Sequence, residues 1–478
     1  MSWKDTSYPI LARIPSIKRP TGHVKFNHKI MWTGLVLLAY FLLTNVGLFG
    51  LSAESSDLFG QFRSILAGEQ GSILQLGIGP IVTAGITMQL LKGAELLPLD
   101  LTDPRDQALY QSLQKAAIIF VGCLTAFFMV FVGNFLSADP SVAEALGLTL
   151  LAVNFLIFLQ ISFGGVIILY LDEIITKWGI GSGVGLFIIA GVSQAIVGGF
   201  LYEVLAGWYA IAVNGLGASP LTADGLTVLF LGEGYILAVL TTLFIIAIVV
   251  AAESTRIEIP LSSARIKGAR GRFPVKLIYA SVMPLIFVRA IQANIQFMGQ
   301  ITASQLGDSM PAWLGTYVDG QAVGGLFYYL TPIFGPQDWM WFMAGATGEP
   351  WQIGIRILVD LTFLIVGGAL FAVFWVETAD MGASSSAKQI HRSGMQIPGF
   401  RRNTQIVEKV LDRYIPYITV LGGVILGVLA AFANLLGTIG GVTGTGLLLA
   451  VSITYKLYEE IANEQLMEMN PLLRQFFD

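Results

Sequence analysis

The sequence predicts an all-α polytopic membrane protein, with ten transmembrane helices in two inverted five-helix halves, on three observations. Of its 478 residues 55% are hydrophobic and 12% charged, a balance too apolar for an ordinary globular domain. The apolar positions collect into ten runs, each near the ~20 residues that a helix needs to cross the hydrocarbon layer. Finally, 24 of the 27 Lys and Arg residues fall on one side of those runs.

In order, the runs are Ile30 to Gly50, Ile73 to Leu91, Ala116 to Leu136, Leu146 to Leu171, Gly179 to Phe200, Tyr235 to Ala252, Leu277 to Met298, Ile355 to Val376, Ile415 to Leu436 and Gly437 to Tyr455. Odd-numbered segments leave the starting side and even-numbered ones return. Only Arg63, Arg289 and Arg356 lie off the basic side, and the loop from Gly299 to Gly354 has no Lys or Arg. By the positive-inside rule both termini are therefore cytoplasmic. On this path the chain divides into a cytoplasmic N-terminal segment 1–29, a first half 30–200, an outer connecting loop 201–234, a second half 235–455 with cytoplasmic loops 253–276 and 378–413, and a cytoplasmic tail 456–478. The first 29 residues are polar and basic. They lack a short apolar core with a cleavage site, so the first helix acts as its own insertion signal.

Charge follows the same division. The cytoplasmic segments carry 24 basic against 18 acidic residues, a net of +6, while the outer loops carry one base against 12 acids, a net of −11. A basic face suits a polyanionic partner. The acidic face fits a saline exterior or simply the topology signal.

The fifth segment opens with Gly179-Ile-Gly-Ser-Gly-Val184 and the tenth contains Gly440-Gly-Val-Thr-Gly-Thr-Gly446. Glycine clusters at matching places support an inverted repeat, which puts a functional pathway between the halves; generic small-residue packing gives the same pattern. Between the first two segments, 56–71 reads SDLFGQFRSILAGEQG. Leu58, Phe59, Phe62, Ile65 and Leu66 make a small apolar stripe on a helix too short to span. It is either a re-entrant piece folded into the protein or an amphipathic helix on the outer surface. Gly77-Ile-Gly-Pro80 predicts a distorted start to segment two. The outer loop with Trp313, Trp339, Trp341 and Trp351 is expected to lie along the membrane interface.

Several chemistries are unsupported. No Gly-x-x-x-x-Gly-Lys-Ser/Thr loop is present, and the three histidines lack partners for a metal site. No cofactor is expected, and the lone Cys123 inside segment three offers no disulfide. Ion-coupled transport calls for midplane carboxylates. Within the segments only Asp360 and Arg289 are clearly inside, either paired with each other or, for Arg289, bordering a wet cavity. One acid and one base make a poor proton relay.

Seven blocks then carry a family resemblance: LGIGPIVTAGITMQLL (Leu76 to Leu91), YLDEIITKWGIGSGVGLFIIAGVSQ (Tyr170 to Gln194), RIKGARGRFPVK (Arg265 to Lys276), ANIQ (Ala293 to Gln296), FWVET (Phe374 to Thr378), GFRR (Gly399 to Arg402) and RYIPYITVLGG (Arg413 to Gly423). In order and over nearly the whole chain, they resemble the SecY family, the channel-forming subunit of the preprotein translocase, in its archaeal form.

The resemblance implies a central pore narrowed by Ile78, Val82, Val184, Ile188, Ile286 and Leu449, residues that otherwise read as ordinary core aliphatics. It makes 56–71 a plug, including Leu58, Phe59, Phe62, Arg63, Ile65 and Leu66, and makes segments two, three, seven and eight a lateral gate with Thr83, Gln114 and Asn294 at its seam. The basic loops, with Arg265, Lys267, Arg270, Arg272, Arg401 and Arg402, become a docking platform for ribosomal RNA, although a topology signal alone also makes such loops. Implied partners are the ribosome, the small SecE/gamma and beta subunits, the signal recognition particle receptor, secretory and membrane-protein substrates, and the surrounding bilayer. The implied setting is the cell membrane, and the implied activity is passive conduction of unfolded chains with sideways release of apolar segments, not catalysis. Arg289 departs from the pattern: three residues past Ile286, it shares a helical face with a pore residue. The rival readings are a secondary transporter for a small solute, which would use a midplane polar site and an ion gradient, and a structural membrane subunit without conductance.

Overall fold

Ten long helices cross between two faces: α1 (Phe26–Thr44), α2 (Gly79–Gly93), α3 (Pro104–Phe127), α4 (Leu150–Trp178), α5 (Gly183–Gly199), α6 (Ile236–Ser254), α7 (Met283–Leu306), α8 (Pro350–Thr378), α9 (Ile415–Leu436) and α10 (Gly444–Met469). The structure, a computed structural model, describes residues 13–22, 24–52, 55, 62–93, 96–97, 99, 103–215, 219, 221–232, 235–263, 270–280, 282–318, 320–341, 348–379, 381–392, 395–396 and 404–469. An even number of crossings brings the start of α1, the end of α10 and the described parts of the loops 253–276 and 378–413 to one side, called the terminal face below.

Several helix starts are written locally. Asp103 accepts from the Arg105 N–H ahead of α3, Thr149 from Ala152 ahead of α4 and Ser182 from Gly185 ahead of α5. Each satisfies a donor that the first helical turn leaves unpaired. A Glu349–Gln352 capping box with Pro350 opens α8.

Among the described residues seven helices are long and apolar enough to span a membrane by themselves, and the chain is a multi-pass membrane protein. The three below that threshold are α2, α7 and α10. All three supply the centre of the bundle, where a helix faces protein rather than lipid and can carry polar groups. One apolar cluster there takes buried residues from all ten helices, including Ile78, Ile188, Ile286 and Leu449. Elsewhere glycines set the spacing. A side chain at Gly427 of α9 would meet the Leu364 carbonyl oxygen of α8 at 2.5 Å, so these two helices pack backbone to backbone.

Segment ends differ from the hydropathic reading. Helix α3 starts at Pro104, well before Ala116, because a polar first stretch, Arg105 to Lys115, is helical without being apolar. Helix α5 continues past Phe200 through a π-helical turn, Phe200–Val204, into Leu205–Asn214. Its Gly198-Gly199 pair is a contact point rather than a stop: a Cβ on Gly199 would lie 2.1 Å from the Gly440 Cα. Segment ten begins at Gly444 and runs to Met469, since Gly437, Gly440 and Gly441 hold left-handed φ values that a helix cannot include. Segments two and seven likewise open with turns before Gly79 and Met283.

The terminal-face loops form one sheet. Strand β1 (Arg256–Ser263) pairs antiparallel with β2 (Arg270–Lys276), and Met395 and Gln396 pair with Ser263 and Ser262 of β1. The alternation Arg256-Ile-Glu-Ile-Pro-Leu261 is a strand signal that the reading by charge passed over.

Candidate functional site

The centre of the molecule is closed by aliphatic side chains. Ile78, in the turn before α2, Ile188 of α5 and Leu449 of α10 have no exposed surface, and Val82 of α2 and Ile286 of α7 are buried with them. Val184, one turn before Ile188, packs on the edge of the same cluster. Both halves thus contribute two helices. From the terminal face a cavity of about 340 Å³ reaches this cluster and ends on Val184 and Ile286, with Lys456 and Glu460 among its lining residues.

The segment between α1 and α2 closes the other side. A single helical turn, Arg63–Leu66, places Ile65 in the central cluster, and Phe62 and Leu66 in a small cluster with Ala293 and Phe334. The segment is tied to the first half by backbone and side-chain hydrogen bonds: Ile78 N–H to the Leu66 carbonyl (2.7 Å), the Tyr40 hydroxyl to the Ala67 carbonyl (3.0 Å) and Leu48 N–H to the Gly71 carbonyl (2.7 Å). Gly77, with φ +52, permits the approach, because a Cβ there would lie 2.1 Å from the Leu66 oxygen. Arg63 stays at the rim with Glu69 (3.1 Å) and Gln70 (3.2 Å). Leu58 and Phe59 lie outside the described residues.

Helix α2 meets α7 and α8 along the seam between the halves. Among the described residues one side-chain hydrogen bond joins α2 to α7, from the Asn294 amide to the Thr83 hydroxyl at 3.2 Å, and farther along Gln305 of α7 donates to the Val132 carbonyl beyond α3. Gln114 takes no part in that bond. It faces α2 near Gly85 and lines a second cavity, about 550 Å³, with Ile81, Gln111, Lys115 and Glu173.

Arg289 is fully buried and points into a polar cluster rather than a wet vestibule. Its guanidinium donates to Asp360 Oδ1 (3.1 Å), Gln292 Oε1 (2.6 Å) and Thr445 Oγ1 (3.2 Å). Gln292 also donates to Asp360 (3.0 Å), and Asn434 to Thr445 (3.0 Å). Helices α7, α8, α9 and α10 are thereby joined just beside the aliphatic cluster, Thr445 lying one turn from Leu449 and Arg289 one turn from Ile286. The i, i+3 spacing of Arg289 and Gln292 was visible in the sequence. The partnership with Asn434 and Thr445 was not, because it spans distant segments.

On the terminal face, Arg256 and Lys276, at the two ends of the β1–β2 hairpin, both pair with Glu459 of α10, Arg256 at 2.8 Å. Lys29 of α1 pairs with Glu464 of the same helix at 2.6 Å. Arg270 and Arg272 are on β2. Arg265, Lys267, Arg401 and Arg402 lie outside the described residues.

Comparison with known proteins agrees with this geometry. The SecY family model matches residues 72–458, and a model described as the plug domain of Sec61p matches 38–71. The protein translocase subunit SecY of Haloferax volcanii is 60% identical over 488 residues, covering 100% of this chain and 99% of the relative. A solved structure described as a protein conducting channel is 36% identical, with a TM-score of 0.80 over 97% of this chain and 98% of its own. Sec61 in a canine ribosome-channel complex from the endoplasmic reticulum is also 36% identical, with a TM-score of 0.77 over 97% of this chain and 98% of that one.

The buried Arg289–Asp360 pair yields a stability prediction. Arg289→Met strands the Asp360 carboxylate and is expected to cost about 3–5 kcal/mol, whereas Arg289→Met with Asp360→Leu recovers most of that loss. Denaturation of the purified variants measures both, and a double variant no more stable than the single one would contradict the pairing.

Proposed function

The chain belongs to the SecY family, and from that premise we propose which of its residues seal, plug and open the channel. The protein is a protein-conducting channel: unfolded secretory chains cross the membrane through it, and transmembrane segments leave it sideways into lipid. It acts as a channel subunit rather than as a catalyst. The observation that carries the assignment of the seal is the burial of Ile78, Val82, Ile188, Ile286 and Leu449 in one cluster on which the terminal-face cavity ends. An aliphatic constriction excludes water and ions by dewetting, yet it offers a passing chain no hydrogen bonds to break.

The segment 56–71 is the plug in this reading, supported by the burial of Phe62, Ile65 and Leu66, at and next to its helical turn Arg63–Leu66, on the side away from the cavity. The gate is the seam of α2 and α3 with α7 and α8. Its support is the contrast between two crossing side-chain hydrogen bonds among the described residues, Asn294 to Thr83 and Gln305 to the Val132 carbonyl, and the buried polar cluster behind them. Opening there exchanges these two hydrogen bonds, each worth about 1 kcal/mol net, for contacts with a signal sequence. Thr83 and Asn294 carry the seam, and Gln114 lines the neighbouring cavity.

The terminal face is assigned to the cytoplasm of a cell-membrane protein, on the weight of its 24 Lys and Arg residues. The β1–β2 hairpin and the loop 378–413 then meet the ribosome, with Arg265, Lys267, Arg270, Arg272, Arg401 and Arg402 placed against RNA phosphates. Small SecE/gamma and beta subunits complete the assembly, and the signal recognition particle receptor delivers to it. Energy and direction come from the bound ribosome or another partner.

A photoreactive group substituted at Ile188 is expected to crosslink to a stalled secretory chain, and one at lipid-facing Leu38 is not. Labelling at Leu38 but not at Ile188 would overturn the pore assignment. The paired substitutions Arg401→Glu and Arg402→Glu are expected to weaken ribosome binding about tenfold or more near physiological salt and to flatten its salt dependence, because each phosphate contact releases counterions. Unchanged affinity and slope in the double variant would remove these two residues from the platform.

A further inference from the structure

The outer loop after α7 returns to the centre at residues 331–334, and buried charges hold it there. Arg356 of α8 donates to the Thr331 carbonyl (2.9 Å) and the Pro332 carbonyl (2.8 Å), with its guanidinium over the Tyr328 ring (5.4 Å). One turn along α8, Asp360 Oδ2 faces the Ile333 N–H at 3.5 Å while its Oδ1 accepts from Arg289. The Arg289 guanidinium in turn lies 5.8 Å from the centre of the Phe334 ring. Phe334 meets Phe62 edge to face, at 5.1 Å between centroids.

A loop backbone this far inside a membrane protein needs donors for its carbonyls. Arg supplies two in a fixed fork, which a lysine does not. The chain of contacts ends on the segment between α1 and α2. On its first-half side that segment is held by directional hydrogen bonds from Tyr40 and Ile78. Toward the second half, Phe62 and Leu66 meet Ala293 and Phe334 through apolar surface. Such a contact separates without leaving an unpaired polar group. We propose that Arg289, Arg356 and Asp360 form the seat of the plug: they position residues 331–334 so that Phe334 closes on Phe62, and release of that contact frees the plug when the halves part. The inference rests on the plug reading above and adds the element against which the plug closes.

The test uses the reconstituted complex in planar bilayers, in a C123S background. Arg356→Met, which removes both charge-assisted hydrogen bonds to the Thr331 and Pro332 carbonyls, and, separately, Phe334→Ala, which removes the ring that meets Phe62, are each expected to raise the resting open probability about tenfold. In R356M, joining F62C to F334C with a short bifunctional thiol reagent is expected to return the conductance to the parental level. Phe334→Ala leaves the buried charges in place and decides the matter if R356M does not assemble. Parental resting conductance in these variants, beside a leaking deletion of residues 58–69, overturns the seat and leaves the plug standing. A tight deletion variant removes the plug reading, and the seat with it. Loss of thermal stability in R356M without a rise in conductance marks a structural role only and also overturns the seat.

Discussion

A passage for a polypeptide through a bilayer must be closed by groups that hydrogen-bond to nothing, because any polar seal would bind the chain that it is meant to release. That constraint shapes the centre of this molecule. The proposed ring contributes dispersion and dewetting only, so its geometry has to be imposed from outside by neighbours that do form directional bonds. Arg289, with Asp360, Gln292, Thr445 and Asn434, does so one helical turn from Ile286 and Leu449. A charge buried there is costly unless fully partnered. Its three partners answer that cost, Asn434 holds Thr445 in turn, and together they fix the helices around the aliphatic layer.

The interfaces are graded in strength. Helices α8 and α9 touch through glycine backbones, and the Arg289 cluster adds α7 and α10 to the same body. By contrast, among the described residues α2 and α7 share one side-chain hydrogen bond, Asn294 to Thr83. The halves also meet backbone to backbone at Gly199 and Gly440, away from the α2–α7 seam, and a tight joint at one place with a weakly bonded seam at another is the distribution that a sideways-opening channel requires. On the terminal face two acids of α10 form ion pairs in opposite directions, Glu459 with Arg256 and Lys276 of the hairpin and Glu464 with Lys29 of α1. Both are partly exposed, where such pairs contribute little individually. Their position couples the proposed docking sheet to the helix that bears Leu449.

The ten crossings were legible because lipid-facing helices must be apolar along their length and because the basic residues fall on one side. Helices α2, α7 and α10 were legible only roughly, and for a physical reason: facing protein, they carry Thr83, Arg289, Asn294 and Thr445, and their ends follow turns such as Gly77 and Gly440 rather than hydropathy. The stretch at 56–71 left two readings open, since a short apolar stripe looks the same on a surface helix. The burial of Phe62, Ile65 and Leu66 within it depends on Tyr40, Ile78 and Phe334, which lie on other segments. Arg289 stood out as a departure, yet Asp360 and Thr445 reach it from two other helices, and no local spacing announces such a meeting. The β1–β2 sheet was written in an alternating pattern that the count of positive charges obscured.

The account stands or falls on the aliphatic layer being a barrier to water rather than packing that happens to be central. Val82→Thr, Ile188→Asn and Ile286→Asn together place polar groups of similar size in that layer. Resting ion conductance of the reconstituted triple variant in planar bilayers is the direct measurement. The account predicts a severalfold rise over the parent, together with passage of chains whose signal sequences are defective, because a wetted constriction loses its dewetting barrier. Conductance equal to the parent, in a variant that assembles normally, would contradict it and return these side chains to the role of ordinary core.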